Sequence, residues 1–208
     1  EDTQSVGREV QSVIDSMNLP SGVEVSSGGI FSQIAEGFQD IFLAMGLGII
    51  LVYLVMVATM GSLRSPMIIM ISLPLSIVGA LFLLFLTGKP LGLPAMMGFL
   101  LLIGVVVTNA VVLIVFVEQL RAKGFSIYDA IIEGGKVRVR PILMTAFATI
   151  FALIPLALAS ETNGLVGSEL ATVVIGGLVS STFLTLLIVP IVYLIFFQSI
   201  PNLFKKDR

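Results

Sequence analysis

Thr108 and Asn109 stand side by side in GVVVTNAVVL (residues 104–113), a stretch in which every other residue is apolar or glycine. A threonine hydroxyl in a helix can bond the carbonyl four residues back, so it is tolerated even in an apolar medium. A primary amide is harder to place. It carries two donors as well as an acceptor, more than its own helix backbone can satisfy, so Asn109 calls for a neighbouring helix or a wet cavity. The spacing fits two roles: interhelical polar glue, typically ~0.6–2 kcal/mol per hydrogen bond in a membrane, or a relay along an ion or proton path. The chain has no cysteine and no histidine, which excludes disulfides, thiol nucleophiles and the usual zinc ligands. No nucleophile–base or metal-ligand constellation is present, so neither an enzyme nor a bound cofactor is expected.

The elements that must position these residues are set by hydropathy. Of 208 residues, 57 % are hydrophobic and 12 % charged, about half the charged fraction of a soluble domain, and the mean hydropathy is +1.10. Five stretches approach or exceed the ~20 residues that a bilayer core requires, at about 40–60, 67–87, 93–117, 141–160 and 170–198, and their apolar interiors hold no Asp, Glu, Lys or Arg. The expected fold is therefore an all-α polytopic membrane protein with a five-helix bundle over 38–198. If the spans alternate, Arg64, Arg121, Lys123, Lys136, Arg138, Arg140, Lys205, Lys206 and Arg208 share one side, against Arg8 and Lys89 on the other. Basic residues favour the cytoplasm, which puts the amino end outside, and the loop 118–140 and the tail 199–208 inside.

Residues 1–37 differ in character. Val6, Val10, Val13, Ile14 and Met17 mark one face of an amphipathic helix over 4–18, and VEVS alternates like a strand over 22–27. This pair is too small for a core of its own and reads as an αβ remnant closing a larger extracytoplasmic domain. The chain opens Glu1-Asp2-Thr3 without a signal segment, like a piece of something longer. In the loop 118–140, Gly124 is expected to end the third span and Ser126 with Asp129 to cap a short helix, whose Ile127, Ile131 and Ile132 would rest on the inner membrane surface.

Small residues recur at four-residue spacing: Ser72, Ser76 and Ala80; Gly104 and Thr108; Thr145 and Thr149; Gly176 and Ser180; Gly177 and Ser181. Lipid gives helices no hydrophobic reason to associate, so such residues pack by letting backbones approach. A tight bundle is expected, with Gly104, Ser72, Ser76, Gly176 and Ser180 at its contacts. Pro74, Pro155 and Pro190 can kink their spans.

Three segments carry a family likeness: GVVVTNAVVLIVFVEQLRAKG, AIIEGGKVRVRPILMTA and GGLVSSTFLTLLIVPIVYLIFF. Together with SPMIIMISLPLSIVGAL and the order of the spans, they resemble the resistance-nodulation-division (RND) exporters, specifically helices eight to twelve. Thr108 followed by Asn-Ala looks like the Gram-positive branch. The resemblance implies a proton-driven exporter of drugs or amphiphiles in the cell membrane, built from two related halves of six helices and usually trimeric. Its partners would be the amino-terminal half, the lipid bilayer and hydrophobic or amphiphilic small molecules, with no nucleic acid. The family's tenth helix often has a lysine at the position of Thr108, beside an asparagine matching Asn109. Its eleventh helix has a threonine matching Thr145 and an arginine matching Arg138. These four residues are thereby candidates for the proton relay or for polar interhelical contact, facing carboxylates of a fourth helix that lies outside this chain. Two other readings remain open. A protein-secretion accessory of the same superfamily usually has an acidic residue where this chain has Thr108 and Asn109, and a non-transporting membrane scaffold would leave the odd helix number unexplained.

Overall fold

A computed structural model of the chain describes residues 12–14, 16, 30–159 and 161–199. The expected helix over 4–18 and strand over 22–27 fall outside these residues, except that 12–14 and 16 are helical. Of the tail 199–208, all but Ser199 lies outside them too.

The described chain is all-α: α1 (Ile30–Met60), α2 (Arg64–Met70), α3 (Ser72–Leu86), α4 (Leu93–Ala122), α5 (Ile127–Ala157) and α6 (Glu161–Ser199). It forms five membrane-length segments, α2 and α3 together making the second. The break between them has a local cause. Pro74 has no N–H to offer the Met70 carbonyl, so the helix is interrupted at Ile71 and restarts with Pro74 in its first turn, where the missing donor costs nothing. Ser72 and Ser76 turn their hydroxyls back onto the Ile69 and Leu73 carbonyls, at 2.6 and 2.7 Å.

α6 is the axis of the bundle, packed by α3, α4 and α5, while α1 lies along α4 and touches α2. Val173, Val174, Leu178 and Tyr193 of α6 are fully buried, as are Val106 and Ala110 of α4. The tightest approach is between α3 and α6. A Cβ on Gly79 would fall 2.0 Å from the Ser180 Cβ, and one on Gly176 would fall 2.8 Å from the Gly79 carbonyl oxygen. Ser180 Oγ crosses the same seam to the Leu75 carbonyl at 3.1 Å.

The connection after α4 departs from expectation. Gly124 ends α4 as expected, with φ +93°, and Ser126 caps the next helix by accepting from the Asp129 N–H at 3.1 Å. That helix is not short. It continues without interruption to Ala157, through Pro141 and Pro155, about 46 Å in all. Pro141 removes the bond to the Val137 carbonyl, but both residues lie on the exposed side, so the loss leaves the packed side intact. Ile127 and Ile131, expected on the inner membrane surface, are half-buried. They pack with Ala130 into the core beside α4, and of the three isoleucines only Ile132 is exposed.

Candidate functional site

Thr108 and Asn109 fall near the middle of α4. Thr108 and Gly104 are exposed and Asn109 is half-buried. Thr108 Oγ1 donates to the Gly104 carbonyl at 2.8 Å, the back-bond that makes a hydroxyl tolerable in lipid. Asn109 has no side-chain hydrogen bond to any described residue. A Cβ on Gly104 would meet nothing within 4 Å, so the described helices do not use this glycine for packing.

Thr145 is exposed on the neighbouring α5, its hydroxyl on the Ile142 carbonyl at 3.0 Å, and Thr149 closes onto the Thr145 carbonyl at 2.9 Å. Arg138 lies one helical stretch nearer the 118–140 end. Its guanidinium carbon sits 4.7 Å from the Phe116 ring centroid, and its Nε is buried without a hydrogen-bond partner among the described residues. α4 and α5 are packed together, which sets the helices that carry the four candidates side by side, and no hydrogen bond joins any of the four to another among the described residues. None of the four side chains offers an acceptor basic enough to carry a proton. Ser72, Ser76, Gly176 and Ser180 sit elsewhere, in the α3–α6 seam, with Ser72 and Ser76 buried and Ser180 half-buried.

Two polar clusters were not visible in the sequence. At one end of the bundle, Lys89 in the α3–α4 loop reaches across to α5 and α6. Its ammonium donates to the Ala157 carbonyl (2.7 Å), Ser168 Oγ (2.5 Å), Thr172 Oγ1 (2.9 Å) and the Ser168 carbonyl (3.3 Å). Ala157 is the last residue of α5, so the ammonium meets the negative end of that helix. At the other end, Arg121 is turned inward onto Tyr193 and Phe197 of α6. It is thus engaged with protein, where the sequence had counted it only among the basic residues that set topology. The one available signal was residue type. Lys89 is the sole basic residue between Arg64 and Arg121, and Ser168 and Thr172 have helical spacing, but nothing in the chain order says that they meet.

A model of the AcrB/AcrD/AcrF family matches residues 2–197. The chain belongs to this family. As a family member it is 50 % identical to the swarming motility protein SwrC of Bacillus subtilis over 91 % of its own length, and 36 % identical to the multidrug resistance protein MdtC of Pectobacterium carotovorum over 99 %. Its fold is that of a crystal structure of a heavy metal efflux pump, with a TM-score of 0.81 and 31 % identity over 95 % of the chain. It spans only 18–20 % of the length of these proteins. The RND resemblance of the TNA and RVRPILMT motifs therefore agrees with the family match along nearly the whole chain, and the AcrB/AcrD/AcrF family is one of efflux transporters.

Proposed function

We propose that the chain is the carboxyl-terminal membrane half of a proton-driven RND exporter of drugs or amphiphiles, with α1, α2–α3, α4, α5 and α6 as helices eight to twelve. The observation that carries this reading is the α4–α5 face. There Thr108 and Thr145 are exposed and Asn109 is half-buried without a side-chain hydrogen bond to any described residue, while the apolar interiors of the spans hold no Asp or Glu to pair with them. Carboxylates on a helix of the other half would complete it, taking the proton that Thr and Asn cannot hold. With threonine in place of the family's frequent lysine, no ammonium balances those carboxylates, so they are held neutral for more of the cycle or are balanced by another cation. The 50 % identity to a Bacillus protein supports the Gram-positive-like branch. The amino end would be outside, the basic 118–140 end and the tail cytoplasmic, the assembly a trimer, and the proton gradient the energy source with no cofactor.

The heavy-metal neighbour favours a second reading in which the cargo is a metal ion. Proteoliposomes holding the complete transporter under an imposed pH gradient separate the two: uptake of an amphiphilic dye supports the first, uptake of a divalent cation alone the second. In the same vesicles Asn109→Leu should lower proton-driven export about 3- to 30-fold, the loss corresponding to one interhelical polar contact. Undiminished export would assign Asn109 to packing.

A further inference from the structure

α4 is held to α6 by two kinds of contact. Toward the Lys89 end the fit is one of shape. A Cβ on Gly98 would lie 3.0 Å from the Leu170 carbonyl oxygen, and Leu102 fills the space above Gly177. Toward the basic end the contact becomes ionic and aromatic. Arg121 Nη1 donates to the Tyr193 hydroxyl at 2.8 Å. The guanidinium carbon lies 4.6 Å from the Phe197 ring centroid and 5.8 Å from that of Tyr193. The two rings are 4.5 Å apart and Tyr193 is fully buried. One turn earlier on α4, Glu118 Oε1 accepts a hydrogen bond from Ser65 of α2, which is also fully buried.

Glu118 and Arg121 project about 60° apart around the helix, and each holds a different neighbour. Because both project from the same helix, a rotation of α4 moves Arg121 off Tyr193 and Glu118 off Ser65 together. Apolar contacts do not resist such a rotation well, because lipid is as good a neighbour for leucine or valine as another helix is. A charged group leaving a hydrogen bond in a low-dielectric site resists it strongly. We propose that Arg121, acting alongside Glu118, is a positioning residue for transport: it fixes the rotation of α4, and with it the direction in which Thr108 and Asn109 are presented to the other half of the transporter. The inference rests on the proposed role of that face in proton-driven export.

Topology alone would be served by any cation at this position, whereas the planar fork stacked on Phe197 and bonded to Tyr193 is particular to arginine. The test uses the complete transporter with nitroxide labels at Val112 on α4 and Val179 on α6, both exposed in the described bundle. Since these 208 residues contain no cysteine, label sites within them can be introduced cleanly. Tyr193→Phe, Arg121→Gln and Arg121→Lys should each broaden the label-to-label distance distribution. Each should also lower the maximal rate of proton-driven export by about threefold or more, the equivalent of one interhelical hydrogen bond, with KM and the amount of protein in the membrane unchanged. The double variant R121Q/Y193F should lose no more than Arg121→Gln alone. Parental distances and rates in Tyr193→Phe, full recovery with Arg121→Lys, or losses that multiply in the double variant would overturn the proposal. The distance measurement does not depend on transport. An inactive parent would therefore count against the export reading, while the distances still decide whether the clamp exists.

Discussion

Lys89 shows how much a single side chain can hold in an apolar bundle. Its ammonium is surrounded by the Ala157 carbonyl, both oxygens of Ser168 and the Thr172 hydroxyl, so one loop residue ties the end of α5 to α6 and to the α3–α4 turn. Ser168 Oγ also donates to the Ala157 carbonyl at 3.0 Å, so removing the lysine leaves that carbonyl one partner but strips the others of their charged donor. Hydrogen bonds to a charged group contribute about 1.5–3 kcal/mol. Lys89→Met should therefore lower the melting temperature of the purified protein by roughly 3–12 °C, read by the loss of helical circular dichroism on heating. A change of less than a degree would mean that water replaces the ammonium without penalty. Thr108 and Asn109 contrast with this residue. Thr108 is satisfied within its own helix and Asn109 waits for a partner, so substitutions there should spare stability and alter transport.

Between elements, the α3–α6 seam is where side-chain size decides the packing. Gly79, Gly176 and Ser180 bring two backbones so close that a Cβ on Gly79 would overlap its neighbour at 2.0 Å, and a backbone in that position cannot step aside as a flexible side chain would. Gly79→Val should destabilise the bundle by about 1–3 kcal/mol or more, seen as a lower unfolding midpoint in detergent. Gly104→Ala is the matched control: the Cβ meets open space, and the helix gains what glycine lacks, about 0.5–1 kcal/mol. If Gly104→Ala nevertheless impairs the complete transporter while leaving this bundle as stable as before, a helix of the other half packs at that glycine. The long α5 belongs to the same scale. Ala130 and Gly134 seat it against Val117 of α4, and this packed side carries the helix past Pro141 where local sequence alone predicts a boundary.

As a whole, the described residues form a bundle with its ionic residues toward the ends and none in the apolar interiors of its spans. A proton carrier needs a group that gains and loses a proton near mid-membrane, and serine, threonine and asparagine do not titrate in the relevant range. The 208-residue chain reconstituted alone should therefore leave a vesicle's pH gradient to decay at the rate of protein-free vesicles, followed with an enclosed pH-sensitive dye. Faster collapse would show that this half conducts protons without the other. The number of spans and the caps at Gly124 and Ser126 could be read from the sequence, because hydropathy, helix stops and N-caps are local properties of the chain. The family could be read too, since the TNA and RVRPILMT motifs are contiguous. The inward turn of Arg121, the reach of Lys89, the continuity of α5 and the open space at Gly104 could not. Each depends on which residues distant in the chain become neighbours, and a periodic apolar helix in lipid accepts many neighbours almost equally well. Close glycine contacts and a few charge-assisted hydrogen bonds choose among them, and these exist only once the helices have come together.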